Sequence, residues 1–519
     1  MRRIEERVMT DAESGPGARL AVDGSIATAV LIVGSGPGGS AAAHAFAGSG
    51  LDVLVAERGS HLPSVPRDEI VTAMHVDKRY ANTEKWYDAS DGKPFTPGTY
   101  YYVGGNTKFY GAALPRFRRQ DFERTPMQEG FSQGWPFGYA EMEPYYTRAE
   151  KLYRVHGRLD EDPTEPEHSE DFPFPALEHE PDIERFAASL RAQGLHPYHT
   201  ANGLEVTSQA EREEERASDG TPSFADRKSD AWNRLLKPAL DADERIQLLT
   251  ELRITRLIAA KDGRRLVAAE GTYRGKPVTI HAERIILAAG AANTAALLLR
   301  SGVANSSDLV GRNYMVHNTT FLVGVHPLRR NRTAWQKTIG VNDWYLAGDD
   351  RPPLGNMQML GKLSAEMLKG FFPLLPRFLL KWVTDRSIDL CLISEDVADP
   401  GNRVTADGER IVVRWKRNNL AAHQHLVGNV RKAVRKAGFP FVFTRLMGIA
   451  TNSHMCGTTA AGTDPASSVV DENCRAHDLD NLWIVDSSVF PSSAASNPVL
   501  TISANALRVA DKIRAALAP

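Results

Sequence analysis

A short apolar run, Thr28 to Val33, passes without a break into Gly34-Ser-Gly36-Pro-Gly38-Gly39, and no other feature limits the fold of this chain as tightly. A short continuous apolar run bounded by a turn signal suits a strand buried on both faces of a parallel sheet. The small residues that follow, SAAAHAFAGSG, suit a helix lying close to that strand, and a second strand, Asp52 to Ala56, ends in Glu57. Strand, glycine turn, helix, strand and acid in this order make a dinucleotide-binding βαβ unit. Gly34 gives the tight turn, Gly36 lets the backbone approach a pyrophosphate, and Gly39 lets helix and strand touch. An acid at position 57 accepts from ribose hydroxyls and disfavours a 2′-phosphate, so NAD or FAD is expected rather than NADP.

A second concentration of chemistry lies at the other end of the chain. The segment from Asn452 reads NSHMCGTT and is followed by GTDPASSVVDENCRAHDLDNLWIVDSSVFPSSAASNPVLT. The apolar run Leu482 to Val485 is a buried strand that stops at Asp486. Ile502, Ala506, Val509 and Ile513 recur at helical spacing, which makes the tail a helix. Pro498 sits just inside its start, where a missing N–H costs nothing. Asn497 then falls at or beside the N-cap, and the unpaired amides of the first turn form a positive end suited to a negative charge on a cofactor. Alone, His454 reads as a hydrogen-bonded core histidine and Asn497 as a plain cap. Together they bring a base that titrates near neutrality to an amide side chain and a helix N-terminus.

The H-x-x-G-T at His454, the strand ending in D-S-S-x-F-P and the N-P before the last helix resemble one family, the glucose-methanol-choline (GMC) oxidoreductases. The resemblance spans nearly the whole chain and is strongest at its two ends. It implies a flavoprotein that oxidises alcohols, with His454 taking the hydroxyl proton and Asn497 positioning the same oxygen. It also implies FAD, since family members carry the N-terminal glycine fingerprint for that cofactor. The FAD contacts it carries over are Gly34, Gly36, Pro37, Gly38, Gly39, Glu57 and Arg58; Gly104, Gly105, Asn106 and Thr107; Ile254; Ala289 and Gly290; Asp486, Ser487, Asn497, Pro498 and Val499. Some sugar-oxidising relatives attach FAD covalently through a His shortly after the G-G pair. Here Lys108, Phe109 and Tyr110 stand there, so the flavin is expected to be non-covalent.

The fold class implied is α/β, a Rossmann-like FAD domain assembled from discontinuous segments plus a substrate domain with a largely antiparallel sheet flanked by helices. Residues 1–26 read as a mobile lead-in of mixed charge. The flavin domain takes 27–160, 231–318 and 451–519, with a Pro- and acid-rich connecting segment at 161–230 and a substrate domain at 319–450. Within the last, TTFLVGVH, IDLCLISEDV and RVTADGERIVVRW read as strands of a pocket roof. Trp335, Trp344 and Tyr345 either stack on a sugar ring or simply pack. The aromatic stretch from Asp68 to Tyr102 is expected to loop over the active site, and FFPLLPRFLLKWV from Phe371 to form a lid or a hydrophobic wall.

Charge excludes some partners. A net −2 and a pI near 6.8 give no field for nucleic acid or an anionic membrane, and the longest greasy run is too short and too interrupted to span a bilayer. The run AEREEER from Ala210 reads as a solvated face, or as an attractor for a cationic substrate. Cys391, Cys456 and Cys474 show no metal-ligand spacing and point to a reducing compartment such as the cytoplasm. Cys456, so close to His454, reads as a nucleophile or, better, as a small buried thiol. The expected substrate is a small alcohol, sugar, glycoside or aminoglycoside, with oxygen or a quinone-like molecule as acceptor. Two rivals stay open: a non-redox flavoprotein lyase of the same fold, and an NAD-dependent dehydrogenase.

Overall fold

The computed structural model describes residues 19–20, 24–451 and 453–517. Most of the expected lead-in at 1–26, and Asn452, lie outside the described residues.

The apolar run does become a strand, Ile26–Val33, at the centre of an eight-stranded sheet. Val53–Ala56 pairs parallel on one side and Lys276–Leu287 parallel on the other, and Ile246–Leu249 extends the sheet beyond Val53–Ala56. Lys276–Leu287 has twelve residues, and its length gives it two jobs. Its first half turns back into the antiparallel strands Leu266–Tyr273 and Leu252–Ala259, while Ile285 to Leu287 pair parallel with Leu482–Ile484 near the far end of the chain. Strands so enclosed are apolar throughout: Val30, Leu31, Ile32, Val53, Leu54 and Val55 are all fully buried.

The turn after the first strand is held by contacts that tolerate no side chain. Gly34 has φ of +103°, and a Cβ there would lie 2.4 Å from the carbonyl oxygen of Ala288. A Cβ on Gly39 would lie 1.9 Å from the oxygen of Gly34, and one on Gly38 would lie 2.3 Å from that of Val485. The helix Pro37–Phe46 therefore presses directly on the sheet, and the segments around residues 34, 288 and 485 become one packed unit.

The C-terminal helix, Val499–Ala515, packs against both Pro37–Phe46 and the helix Tyr139–Tyr153. Pro498 occupies the N-cap itself, one position earlier than its place inside the helix expected from the sequence, and Asn497 precedes it. Arg508, fully buried, lies 3.8 Å over the Phe137 ring and donates to Asn505, Glu141 and the carbonyl of Glu472. The Tyr146 hydroxyl meets Thr501 at 2.8 Å and that of Tyr153 meets Ser503 at 3.0 Å. These bonds fix where the helix begins.

A second, six-stranded antiparallel sheet runs in the order Pro197–His199, Ile339–Val341, Asn356–Met359, Ser387–Ser394, Asn318–Val325, Phe441–Leu446. The helices Pro181–Arg191 and Leu420–Lys436 cover it, joining Phe186, Leu190, Leu426 and Val430 to Leu322, Leu390 and Leu392 in a separate core.

One expectation is corrected, and other readings that the sequence left open are narrowed. The hairpin Arg403–Asp407 and Arg410–Arg414 does not join this sheet; it pairs with Trp86–Asp88, because Val404, Ile411 and Val413 bury into the core of the first domain. Trp335 is fully buried against Leu177, Leu204 and Val206, so it packs and cannot stack on a sugar. The run from Phe371 is no buried wall: Leu374, 95% exposed, lies in the turn between two short helices, and Phe378, 71% exposed, faces outward from the second. Part of the aromatic stretch up to Tyr102 packs around Phe109, whose ring meets those of Tyr80, Tyr100 and Tyr102.

Gly39→Ala should cost about 1–3 kcal/mol of stability, because the contact it violates is backbone on both sides. Thermal denaturation should show the drop together with loss of bound cofactor. Gly48→Ala, at φ +73° but facing open space, should cost about 1 kcal/mol and keep the cofactor.

Candidate active site

Around the glycine turn, backbone amides and one carboxylate organise the surface. Glu57 is buried at the end of its strand and accepts from the Ser35 amide and hydroxyl through one oxygen and from the Gly59 amide through the other. The carboxylate is thereby aimed by the turn it faces. A Cβ on Gly36 would meet nothing within 4 Å, so the backbone there fronts open space, as a pyrophosphate cradle requires. Gly104 and Gly105, both at positive φ, bring a second loop against it: a Cβ on Gly105 would lie 3.3 Å from the Gly36 Cα. The Gly104 amide donates to the Ser35 hydroxyl.

At several of the expected contacts the side chains are engaged within the protein. Asn106 bonds the backbone of Tyr100 and Gly98, and Thr107 bridges the Gly104 carbonyl and the Ala231 amide, so both side chains staple the loop. Arg58 pairs with Glu84 and lies 3.7 Å over the Tyr101 ring. Asp486 is buried and accepts from Gly290, Thr294 and Ser488, tying the turn at Ala289 and Gly290 to the last strand, with burial pushing its carboxyl up. The Ser487 hydroxyl donates to the Met455 carbonyl. Ile254 sits two residues into a strand whose Leu252 amide donates to the Glu57 carbonyl, so it flanks the acid that ends the βαβ unit.

The segment carrying His454 is zipped to the last strand. Gly457 and Thr459 donate to the carbonyls of Ser487 and Ser488, and the Thr458 hydroxyl donates to Ala291. His454 is half-buried, with a pKa lowered to about 3 by burial and then by His317 and Lys337. Its Nδ1 lies 3.2 Å from Nδ1 of His317, the two rings meeting edge to face at 80°. Asn497 is half-buried, and its amide takes no hydrogen bond among the described residues. His317 in turn reaches the C-terminal segment, its Nε2 lying 2.8 Å from the carbonyl of Ser493, four residues before Asn497. Cys456 is buried and burial pushes its thiol well up, which fits the quiet role and not the nucleophile.

Sequence reasoning missed His317 and the acids around it. Asp396 accepts from the amides of Val316 and His317 and from the Ser493 hydroxyl. Next to it, Glu395 lines a cavity of ≈ 280 Å³ with Asp121, Ser132, Tyr345, Gly355 and Ala495. Asp121 accepts from the Arg118 amide and the Tyr345 hydroxyl, and burial raises its pKa to about 6. Glu395, 6% exposed, is raised to about 8 by burial, and one of its oxygens has no hydrogen-bond partner. Two acids closing the apolar run IDLCLIS were the one visible signal.

Known proteins resemble this chain over most of its length. Models of the two GMC oxidoreductase domains match residues 28–319 and 406–506. The paromamine 6′-oxidase of Streptomyces fradiae is 29% identical, covering 93% of this chain and 91% of its own length. The 6′′′-hydroxyparomomycin C oxidase of Streptomyces lividus is 29% identical over 94% and 92%, and the fructose dehydrogenase large subunit of Gluconobacter japonicus is 24% identical over 93% and 97%. Among solved structures, pyridoxine 4-oxidase from Mesorbium loti superposes with a TM-score of 0.64 at 18% identity, covering 93% of this chain and 99% of that one. Formate oxidase superposes at 0.66 and 16% identity, covering 97% and 99%. The nicotinamide alternative left open by the glycine turn is thereby closed in favour of FAD, and the chain belongs to the GMC oxidoreductase family, whose members act on the CH–OH group of their donors.

Proposed function

We propose that the preferred substrate is an amine-bearing sugar or glycoside, bound so that an ammonium group meets Asp121 and Glu395 while the reacting hydroxyl lies between His454 and Asn497. The observation that carries this reading is the pair of buried carboxyls lining one cavity beside Ala495, two residues from Asn497. Burial holds Glu395 protonated near neutrality, and an ammonium group arriving beside it favours the ionised form, the carboxyl proton passing to solvent. The two aminoglycoside oxidases among the relatives support the same class.

FAD, when bound, supplies the hydride acceptor for the CH–OH carbon. The chain supplies the rest. Asn497 holds the substrate oxygen through its amide. His454, kept neutral by burial, accepts the hydroxyl proton. The amides at the start of Val499–Ala515 offer a positive end to negative charge on the cofactor. We further propose that FAD is held without a covalent bond, since Lys108, Phe109 and Tyr110 follow the glycine pair, and that three free buried cysteines fit a cytoplasmic setting. Among the described residues no helix is long and apolar enough to cross a membrane. Oxygen uptake against reduction of a quinone dye identifies the acceptor.

The test is anaerobic bleaching of the purified flavoprotein by matched pairs of glycosides that differ only in an amine replaced by a hydroxyl. The amine member should win. Glu395→Gln should erase its advantage, raising its KM roughly tenfold or more while leaving the hydroxyl member within about twofold. Because Asp121 and Glu395 are protonated below about 6 and about 8, KM for the amine should fall as pH rises through that interval. Equal bleaching by both members at every pH would remove the ammonium reading, and no bleaching by any alcohol would return the lyase alternative.

A further inference from the structure

The contact between His454 and His317 carries more than proximity. Nε2 of His317 lies 2.8 Å from the carbonyl oxygen of Ser493, and a carbonyl oxygen can only accept. That nitrogen therefore carries a hydrogen. A neutral imidazole protonated at Nε2 has a bare lone pair at Nδ1, and this is the atom that lies 3.2 Å from Nδ1 of His454. Two bare nitrogens would repel at that distance, so the hydrogen between them belongs to His454. The second nitrogen of His454 is then left without one.

We infer that His317 is a positioning residue that fixes His454 as its Nδ1–H tautomer, making Nε2 the atom that receives the substrate proton. This rests on His454 being the base. In the step itself the substrate O–H bond breaks, an N–H bond forms at Nε2, and Nδ1 keeps its hydrogen bond to His317 as the ring becomes an imidazolium. A general base is useful only in the tautomer that turns its lone pair to the substrate, and the wrong tautomer costs orders of magnitude in rate even with the geometry intact.

The surroundings of His317 are built to hold it in this role. It is 1% exposed and sits at φ +70°, a left-handed conformation that a non-glycine residue adopts only where its surroundings hold it there. Asp396 maintains it by accepting from the His317 and Val316 amides through its two oxygens, one of which also accepts from the Ser493 hydroxyl. Among the described residues, Asp396 favours a cationic His317, and Lys337, itself paired with Asp219, disfavours a cationic His454. Burial of His317 is the larger influence and keeps its ring neutral. Were His317 cationic, both its nitrogens would donate, and His454 would be forced to carry its hydrogen on Nε2, so that this atom could not receive the substrate proton.

Two replacements separate this role from a structural one. The amide of His317→Asn reaches the place of Nδ1 and can accept from His454, and Asn tolerates positive φ. The amide of His317→Gln reaches the place of Nε2 and keeps the tie to Ser493 but offers nothing to His454. In holoenzyme labelled with ¹⁵N-histidine, the His454 resonances, assigned by their loss in His454→Ala, should show a protonated Nδ1 and a bare Nε2. That pattern should survive in His317→Asn and shift to a mixture or to Nε2–H in His317→Gln, with FAD absorbance retained in both. Anaerobic flavin reduction should stay within about threefold for the first and slow roughly tenfold or more for the second. An Nε2–H signal in the unaltered enzyme would overturn the inference while leaving His454 as a possible base, and so would the reverse order of the two variants. Unimpaired reduction in His454→Ala would instead overturn the assignment of the base.

Discussion

Backbone touching backbone at the glycine turn is the constraint on which the rest of this molecule depends. Gly34 lies against Ala288, Gly38 against Val485 and Gly39 against Gly34, each so closely that a methyl group would overlap a carbonyl oxygen. Three stretches remote in sequence are thereby locked into one unit. The first makes the dinucleotide turn, the second carries Ala289 and Gly290, and the third runs on through Asp486 to Asn497. The long strand Lys276–Leu287 supports the arrangement by pairing with Ile26–Val33 along one edge and with Leu482–Ile484 at its end. A cofactor seated on the turn must then lie beside the C-terminal segment that carries Asn497.

Fixing the last helix completes the placement. Its burial alone would leave it free to slide along its axis, since apolar contacts are not directional. Arg508 on Glu141 and Glu472, Tyr146 on Thr501 and Tyr153 on Ser503 remove that freedom. The first turn, with Pro498 at the cap and Asn497 before it, is set relative to the sheet by these polar contacts. A buried arginine is expensive to desolvate and is retained here with its donors satisfied, a pattern that specifies position more than it adds stability.

Both ends of this chain were legible in the sequence because their chemistry is local. A strand, a glycine turn and a helix in succession announce themselves within thirty residues or so, and a proline before an apolar-periodic tail marks a helix start. The middle was harder. The hairpin 403–414 has the alternation of any half-buried strand pair, and nothing within it tells which sheet it will join; its partner, Trp86–Asp88, lies over three hundred residues earlier. The apolar run from Phe371 looks like a wall until its helices are seen to face outward. His317 was invisible for a related reason, since its significance is a contact with a residue far along the chain and a bond to a backbone carbonyl. Asp121 and Glu395 converge from separate elements on one cavity, a relation that spacing cannot encode. At Asn106, Thr107 and Asp486 the residues were picked out, but their side chains are occupied by the protein's own backbone and hydroxyls.

The measurement that bears most directly on this account is the single-turnover rate of anaerobic flavin reduction by one bleaching substrate, compared between the unaltered enzyme and His454→Ala at matched FAD content. The account predicts that FAD remains bound and that reduction slows by a factor of roughly a hundred or more, the usual contribution of a positioned general base. Reduction at an undiminished rate would contradict it, because the proton would then leave the substrate hydroxyl without the residue around which the site is arranged.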